Sequence, residues 1–269
     1  MHIVISFRNV PSDITDILIA ELQNTAEGFE ETDNGLKVIF LKENYNQDEI
    51  TELASTYELE YETEEIAPQN WNALWESNFS PVIVDDFVGI RASFHEPLQQ
   101  VQHEILITPK MSFGTGHHAT THLMMQQMRK ISFPGKSVFD FGTGTGVLAI
   151  LAHQLGAQSI YANDIDEWSI LNARENFEQN NTADIRLVQS DSAIMGESFD
   201  VILANINRNV LLDNMRDLSS QLNPAGQLIL SGILEEDLNI IKEAAESNGL
   251  ALVEKNARNN WLCLNFQKY

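Results

Sequence analysis

At residues 138–148 the chain reads VFDFGTGTGVL, in which an apolar strand runs into three alternating glycines and then into a helix. Glycines permit a tight turn and let a ligand reach the backbone, and the free N–H groups at a helix start favour an anionic group. The dinucleotide fingerprint G-x-G-x-x-G would need a glycine at position 147, where this chain has valine. The pattern is instead an acidic residue, Asp140, two positions before G-x-G-x-G. It predicts a cofactor-binding turn at the end of a strand.

Strands and helices alternate from this turn onward. β-rich segments lie at 137–141, 159–164, 185–189, 200–205, 227–231, 250–255 and 262–266, with helical segments at 147–155, 167–179, 210–222 and 235–247. This alternation predicts a seven-stranded, doubly wound α/β sheet with helices on both faces. No helical segment separates the last two strands, so we expect them to form an antiparallel pair.

Polar residues end two of these strands, at the edge where open α/β sheets bind their ligands. Asp164 ends the second strand, where a carboxylate accepts hydrogen bonds from ribose hydroxyls, whereas Asp166 is better placed to cap the next helix. Asn205 ends the fourth strand, where its amide oxygen can hold a substrate nitrogen. The alternative for Asn205 is a turn asparagine that caps the following helix.

The segment ITPKMSFGTGHHATT, residues 107–121, is a polar, glycine-bearing loop that leads directly into a helix. Thr120 or Thr121 can cap that helix or donate to a carboxylate. His117, His118 and His122 raise the question of a metal. No carboxylate or cysteine lies near them in sequence, so we predict no metal site.

Composition and charge exclude some classes of protein and disfavour others. The 269 residues are 43% hydrophobic and 20% charged, which is typical of a globular protein, and the single cysteine, Cys263, rules out an internal disulfide and a four-cysteine zinc site. We expect no membrane span, no signal peptide and a cytoplasmic location. The net charge of −23 disfavours direct contact with nucleic-acid phosphates and suits a basic partner. The plainer alternative is that the charge only keeps the protein soluble.

Residues 1–66 have the order strand, helix, hairpin, helix, strand, which predicts a small ferredoxin-like α+β domain. The acidity is concentrated early, because residues 1–78 hold 17 Asp and Glu against 3 Lys and Arg. These carboxylates have no His or Cys cluster nearby, which favours a solvated face over a metal site. We predict a linker at 67–95, with Trp71 and Trp75 packing it onto a core, and a large α/β domain at 96–269.

Taken in order, these motifs resemble the PrmA family, which methylates large-subunit ribosomal protein eleven. The resemblance implies a Rossmann-like S-adenosylmethionine-dependent methyltransferase domain at about 105–269 and, more loosely, a ferredoxin-like substrate-recognition domain before it. The segments Ser231–Leu234 and Trp261–Leu264 look similar too. The resemblance implies cofactor contacts at Thr121, Gly142, Gly144, Gly146, Asp164 and Asn205, and a loop closing over the cofactor formed by Phe113, Gly114, Thr115, Gly116 and His118.

The chain departs from the family's usual pattern at four loop positions. Lys110, Ser112, His117 and Ala119 stand where glycine, alanine, threonine and proline are usual. The glycine turn also has Thr143 and Thr145 where cysteine and serine are commoner. These changes spare the cofactor motifs and bear on the choice of substrate.

The resulting prediction is a monomeric enzyme in which Asn205 holds a lysine or N-terminal amine of a basic ribosomal protein for attack on the cofactor's methyl group. Three alternatives remain: a methyltransferase for another protein amine or a small molecule, a nicotinamide-dependent oxidoreductase, and a non-catalytic module that binds a ribosomal partner. Deleting residues 1–66 should abolish activity on a ribosomal protein but spare a small substrate. Titration with each cofactor distinguishes the oxidoreductase.

Overall fold

The chain forms two compact units, residues 1–78 and 79–269. A computed structural model describes residues 2–22, 25–32, 35–66, 80–108 and 116–269. The predicted linker pair Trp71 and Trp75 and the loop residues 109–115 lie outside these ranges. Buried apolar side chains form one cluster in the first unit and two in the second, so each unit has a hydrophobic core of its own.

The first unit is a four-stranded antiparallel sheet with two helices. Its sheet order, β2-β3-β1-β4, and its βαββαβ chain order confirm the predicted ferredoxin-like fold. The elements are β1 (His2–Arg8), α1 (Ser12–Leu22), β2 (Gly28–Thr32), β3 (Gly35–Leu41), α2 (Gln47–Thr56) and β4 (Glu60–Ile66).

The two faces of this sheet differ because side chains alternate along a strand. Ile3, Ile5 and Phe7 of β1 pack with the buried side chains of both helices. On β4, Glu60, Glu62 and Glu64 alternate with the core-side Tyr61 and are exposed. The concentration of acid seen in the sequence therefore lies partly as a row along an edge strand.

The second unit begins with a small three-stranded sheet, β5 (Val82–Val84), β6 (Val88–Ala92) and β7 (His103–Ile107). β5 and β6 form a hairpin, and β7 runs parallel to β6. This differs from the predicted linker at 67–95, because residues 82–92 form strands whose side chains lie in the core of the second unit. These residues form a hairpin because two short runs rich in β-branched residues flank a turn at Asp85-Asp86, where Asp85 has a φ of 52°. The domain boundary predicted at residue 66 stays a prediction.

A seven-stranded sheet with helices makes up the rest of the unit. No helix within the described ranges is both long and apolar enough to cross a bilayer. The elements are α3 (Ala119–Met128), β8 (Ser137–Phe141), α4 (Val147–Gln154), β9 (Ser159–Asp164), α5 (Glu167–Gln179), β10 (Arg186–Gln189), β11 (Phe199–Asn205), α6 (Arg208–Ser220), β12 (Leu222–Leu234), a 3₁₀ turn (Glu235–Asp237), α7 (Leu238–Ser247), β13 (Leu250–Arg258) and β14 (Trp261–Lys268).

The order of strands in this sheet is β10-β9-β8-β11-β12-β14-β13. The first five are parallel, and β14 is antiparallel to both of its neighbours, which confirms the predicted antiparallel pair. The order reverses between β8 and β11, so a crevice opens outside the carboxyl ends of these two strands.

Alternation along the strands supplies a core on each face of the sheet. Val201 and Leu203 of β11 pack on the face covered by α3, α4 and α5, whereas Ile202 and Ala204 pack on the face covered by α6 and α7. Both faces are therefore apolar, as the near-continuous hydrophobic strands predict.

Candidate active site

A cavity of about 640 Å³ lies at the carboxyl edge of the parallel strands, a volume typical of small-molecule sites. The predicted residues His118, Thr121, Gly142, Gly144, Asp164 and Asn205 all border it. Phe141, Asn163, Ile165, Asp191, Ile206 and Trp261 are among the other lining residues. Motifs that are far apart in sequence therefore meet at one crevice.

The glycine turn is hydrogen-bonded to the neighbouring strand β9. Gly142 and Gly144 have φ of 74° and 55°, in the left-handed region that suits glycine. The N–H groups of Gly142 and Thr143 donate to the carbonyl oxygen of Asn163 at 3.1 and 2.8 Å. The Asn163 side chain in turn donates to the carbonyl oxygens of Ser190 and Ser192. Asn163, which is fully buried, thus ties the glycine turn to the loop after β10.

Asp164 faces the crevice with its carboxylate fixed at both oxygens. Oδ2 accepts from the N–H of Gly144 at 2.9 Å, and Oδ1 accepts from the N–H of Asp166 at 3.1 Å. A carboxylate has about four acceptor sites, so each oxygen can still accept from a ligand hydroxyl.

Asp166 caps α5, as predicted. Its carboxylate accepts from the backbone N–H and hydroxyl of Ser169 at 2.8 and 2.9 Å. These bonds, the backbone one first, hold the pKa of Asp166 below its usual value. The two aspartates therefore have separate roles: Asp164 borders the crevice, and Asp166 caps α5.

Asn205 borders the crevice at the end of β11. Its Nδ2 donates to the hydroxyl of Thr121 at 3.3 Å, whereas its Oδ1 is buried and has no hydrogen-bond partner among the residues that the structure describes. Asn205 does not cap the following helix. The N-cap of α6 is Asn207, whose side chain accepts from the N–H of Val210. A buried, unpaired carbonyl oxygen at a ligand site is an acceptor prepared for an N–H group.

His118 and Trp261 form an aromatic wall of the crevice. His118 is the N-cap of α3, a position predicted for Thr120 or Thr121, which both lie buried inside the helix. The His118 ring meets Trp261 edge to face, with centroids 4.8 Å apart. Trp261 is not among the residues that the sequence predicts for the site. The signal was available, because an antiparallel strand inserted among parallel ones begins at their carboxyl edge, where Trp261 pairs with Leu234.

Ile206 is wedged between the glycine turn and β12. A Cβ on Gly142 would lie 2.4 Å from the Ile206 side chain, and a Cβ on Gly232 would lie 2.2 Å from the Ile206 carbonyl oxygen. Gly232 also interrupts the pairing of β12 with β14. These two glycines let the segment after β11 approach closely, which places Asn205 against the crevice.

Asp140, the acidic residue of the glycine motif, is buried directly behind the turn. Its Oδ2 accepts from the hydroxyl of Thr143 at 2.6 Å, and the backbone N–H of Ala149, in the first turn of α4, also favours its charged form. Burial raises the pKa of Asp140 to about 7, against the lowering effect of the Thr143 hydroxyl. The carboxyl group is therefore partly protonated near neutral pH.

Some predicted residues lie elsewhere. Gly146 does not border the crevice; it precedes α4 and faces Phe177. Gly116 packs against Ile90 rather than the cavity, and Phe113, Gly114 and Thr115 fall outside the described residues. His117 contacts the carbonyl oxygen of Ser80. In the part of the chain that the structure describes, no three His, Cys, Asp or Glu side chains are grouped as metal ligands would be.

The crevice fits S-adenosylmethionine on its own chemistry. A fixed carboxylate, Asp164, suits ribose hydroxyls, and an open glycine turn suits close approach of a ligand to the backbone. Asn205, whose Oδ1 has no hydrogen-bond partner within the described ranges, borders the same cavity.

This strand order, together with an acidic G-x-G-x-G turn facing a strand-end aspartate, defines a Rossmann-like methyltransferase. The sequence profile of the family described as ribosomal protein L11 methyltransferase (PrmA) matches residues 8–269, and the chain belongs to that family. Family membership confirms the predicted S-adenosylmethionine-dependent class and argues against the oxidoreductase alternative.

Individual relatives agree with the family. A protein from Bacteroides fragilis named ribosomal protein L11 methyltransferase is 38% identical over 262 residues, which cover 94% of each chain. One of the same name from Porphyromonas gingivalis is 41% identical over 260 residues, 93% of this chain and 90% of the relative. The crystal structure of a ribosomal protein L11 methylase from Lactobacillus delbrueckii subsp. bulgaricus superposes with a TM-score of 0.66 at 34% identity, covering 71% of this chain and all of that one.

Proposed function

We propose that this protein transfers methyl groups from S-adenosylmethionine to lysine or N-terminal amino groups of ribosomal protein L11. The observation that carries the proposal is Asn205 at the crevice, whose buried Oδ1 has no hydrogen-bond partner in the described part of the chain and can accept an amine N–H. The names of the relatives support the assignment of L11 as the protein that accepts the methyl groups. A cytoplasmic, monomeric enzyme is part of the same proposal.

The acceptor nitrogen must lose a proton before it can attack. At pH 7 this costs roughly 4–5 kcal/mol for a lysine of ordinary pKa and about 1 kcal/mol for an α-amino group. Asp164 is already tied to two backbone N–H groups, and Asp191, the other carboxylate among the described residues that border the crevice, is exposed. We therefore assign no protein base; the proton leaves to water, and desolvation in the crevice favours the neutral amine.

Asn205 orients the neutral amine. We assign its Oδ1 to accept one N–H of the amine, while its Nδ2 donates to the Thr121 hydroxyl and so fixes the orientation of the amide. When bound, the cofactor supplies an electrophilic methyl group and takes back the bonding electron pair on its sulfur. Acceleration comes mainly from alignment of the nitrogen with that methyl group, which can contribute several orders of magnitude.

The acidic first unit is suited to recognise a basic substrate. Residues 1–78 carry a net charge of −14, and Glu60, Glu62 and Glu64 are exposed along one strand. Opposite charge on a partner raises the encounter rate, and the effect falls with added salt.

Mass spectrometry of unmethylated L11, incubated with the enzyme with and without S-adenosylmethionine, tests the proposal. We expect cofactor-dependent steps of one methyl mass on lysine or the N-terminal amine. No added mass, with cofactor binding confirmed by calorimetry, would contradict L11 as the substrate. Because residues 79–269 have their own core, a chain lacking residues 1–78 should keep cofactor binding and lose methylation of L11.

A further inference from the structure

One face of α5, together with the residue that caps its C-terminus, carries a row of three asparagines. Asn172, Asn176 and Asn180 are spaced four residues apart, so they lie one above another on the helix. Asn172 and Asn176 are fully buried, and Asn180 is partly buried. Asparagine is a poor residue for a helix interior, and buried amides are costly unless their hydrogen bonds are made. Their partners therefore need an explanation.

The row binds the backbone of β7, the edge strand of the small sheet. Asn180 accepts from the N–H of Leu106 at 2.9 Å and donates to its carbonyl oxygen at 2.6 Å. Asn176 accepts from the N–H of Thr108 at 2.8 Å, and Asn172 donates to the carbonyl oxygen of Thr108 at 3.3 Å. The amides thus satisfy backbone groups that a further strand would otherwise pair.

Asn176 alone among the three also reaches the glycine turn. Its Nδ2 donates to the carbonyl oxygen of Thr145 at 2.8 Å and to Oδ1 of Asn172 at 2.8 Å. Both of its N–H groups and its oxygen are in use, so the orientation of its amide is determined. Next to it, the Phe177 ring lies 2.5 Å from where a Cβ on Gly146 would be. Two consecutive residues of α5 therefore contact the turn: Asn176 through a hydrogen bond to Thr145, and Phe177 through packing against Gly146.

We propose that Asn176 is a positioning residue for cofactor binding, which holds the glycine turn in its binding conformation by anchoring it to the end of β7. The proposal rests on the use of S-adenosylmethionine proposed above. Without the Asn176 amide, the turn has more conformations to lose when the ligand binds, and this entropy weakens binding.

Asn176→Ala and Asn180→Ala form a matched pair. Each removes an amide that accepts one backbone N–H, from Thr108 just after β7 or from Leu106 within it, but of the two only Asn176 contacts the glycine turn. By isothermal titration, we expect the Kd for S-adenosylmethionine to rise roughly tenfold in Asn176→Ala, the effect of one buried hydrogen bond, and less than about twofold in Asn180→Ala. Hydrogen exchange of residues 142–147 should speed up only in Asn176→Ala.

A second variant separates the two halves of the amide. Asn176→Asp keeps an acceptor for the Thr108 N–H but loses the donors to Thr145 and Asn172, so it should weaken cofactor binding like Asn176→Ala. If both Asn176 variants bind the cofactor as Asn180→Ala does, the residue only holds β7 and the proposal is wrong. If the unchanged protein binds no S-adenosylmethionine, the proposed function fails first. When the unchanged protein binds it normally, the variants test the role of Asn176 alone.

Discussion

Replacing Asp140 with asparagine should make the protein's stability respond differently to pH. Asp140 is 1% exposed, and burial raises its pKa to about 7 from an ordinary 3.8. Between these values the native state holds a proton that the unfolded chain has lost. Stability from this group is therefore fully present below about pH 4 and is lost as pH rises to about 7.

The size of the effect follows from the two pKa values. At about 1.4 kcal/mol per pH unit, the difference between 3.8 and about 7 corresponds to about 4 kcal/mol in the free energy of unfolding. Between pH 5.5 and 8 the share still to be lost is about 2 kcal/mol. The side chain in Asp140→Asn is neutral throughout and lacks this loss.

Thermal unfolding of both proteins at pH 5.5, 6.5, 7 and 8 measures the effect, since other titrating groups are shared. We expect the stability of Asp140→Asn relative to the unchanged protein to increase by about 2 kcal/mol across this range, which is roughly 5 °C in Tm for a unit of this size. Thr143→Val removes the hydroxyl that lowers the pKa of Asp140 and should move the midpoint of the change upward. A difference in Tm that stays constant from pH 5.5 to 8 would refute the picture of a neutral buried carboxyl group.

Three further predictions concern the crevice. Asn205→Ala should lower kcat for L11 at least about tenfold, because the amine loses its acceptor, while the Kd of the cofactor changes much less; unchanged turnover would count against the assigned role. Gly232→Ala should lower the free energy of unfolding by more than about 2 kcal/mol, because the added Cβ would lie 2.2 Å from the Ile206 carbonyl oxygen. The control is Gly249→Ala, which is also at positive φ but has open space around it, and it should lower the free energy of unfolding by about 1 kcal/mol. Equal losses in urea unfolding would contradict the close approach of Ile206. Trp261→Ala should raise the KM for substrate and lower Tm, with Trp261→Phe intermediate, because the edge-to-face contact with His118 contributes about 1 kcal/mol; steady-state kinetics showing no change in KM would remove Trp261 from the site.

The local parts of this site were predictable because each is written in one short run of sequence. The glycine turn, Asp164 and Asn205 each end a strand, and parallel strands bring their carboxyl ends to one edge. The cap predicted at Asp166 is confirmed, whereas the cap considered for Asn205 is formed by Asn207, two residues further on. The atoms of each cap are three residues apart, whereas Gly144 and Asp164 are 20 residues apart and meet because the parallel strands bring their ends together.

The unpredicted parts depend on contacts between distant segments. Trp261 reaches the crevice only because β14 is inserted beside β12, and Asn176 bonds to Thr145 and Thr108, which lie 31 and 68 residues away. The strands at 82–84 and 88–92 fall inside the predicted linker because short apolar runs carry little periodicity of their own. The protonation of Asp140 depends on burial, which a pattern of residue types does not state.

The position of β14 has a consequence for how the protein is made. β14 follows β13 in the chain but lies between β12 and β13, so β13 cannot join the sheet until its successor has been synthesised. A growing chain that stops short of Trp261 therefore exposes the unpaired edge of β12, the kind of surface that aggregates. The same late step brings Trp261 to the crevice, so closing that edge and completing the aromatic wall occur as one event.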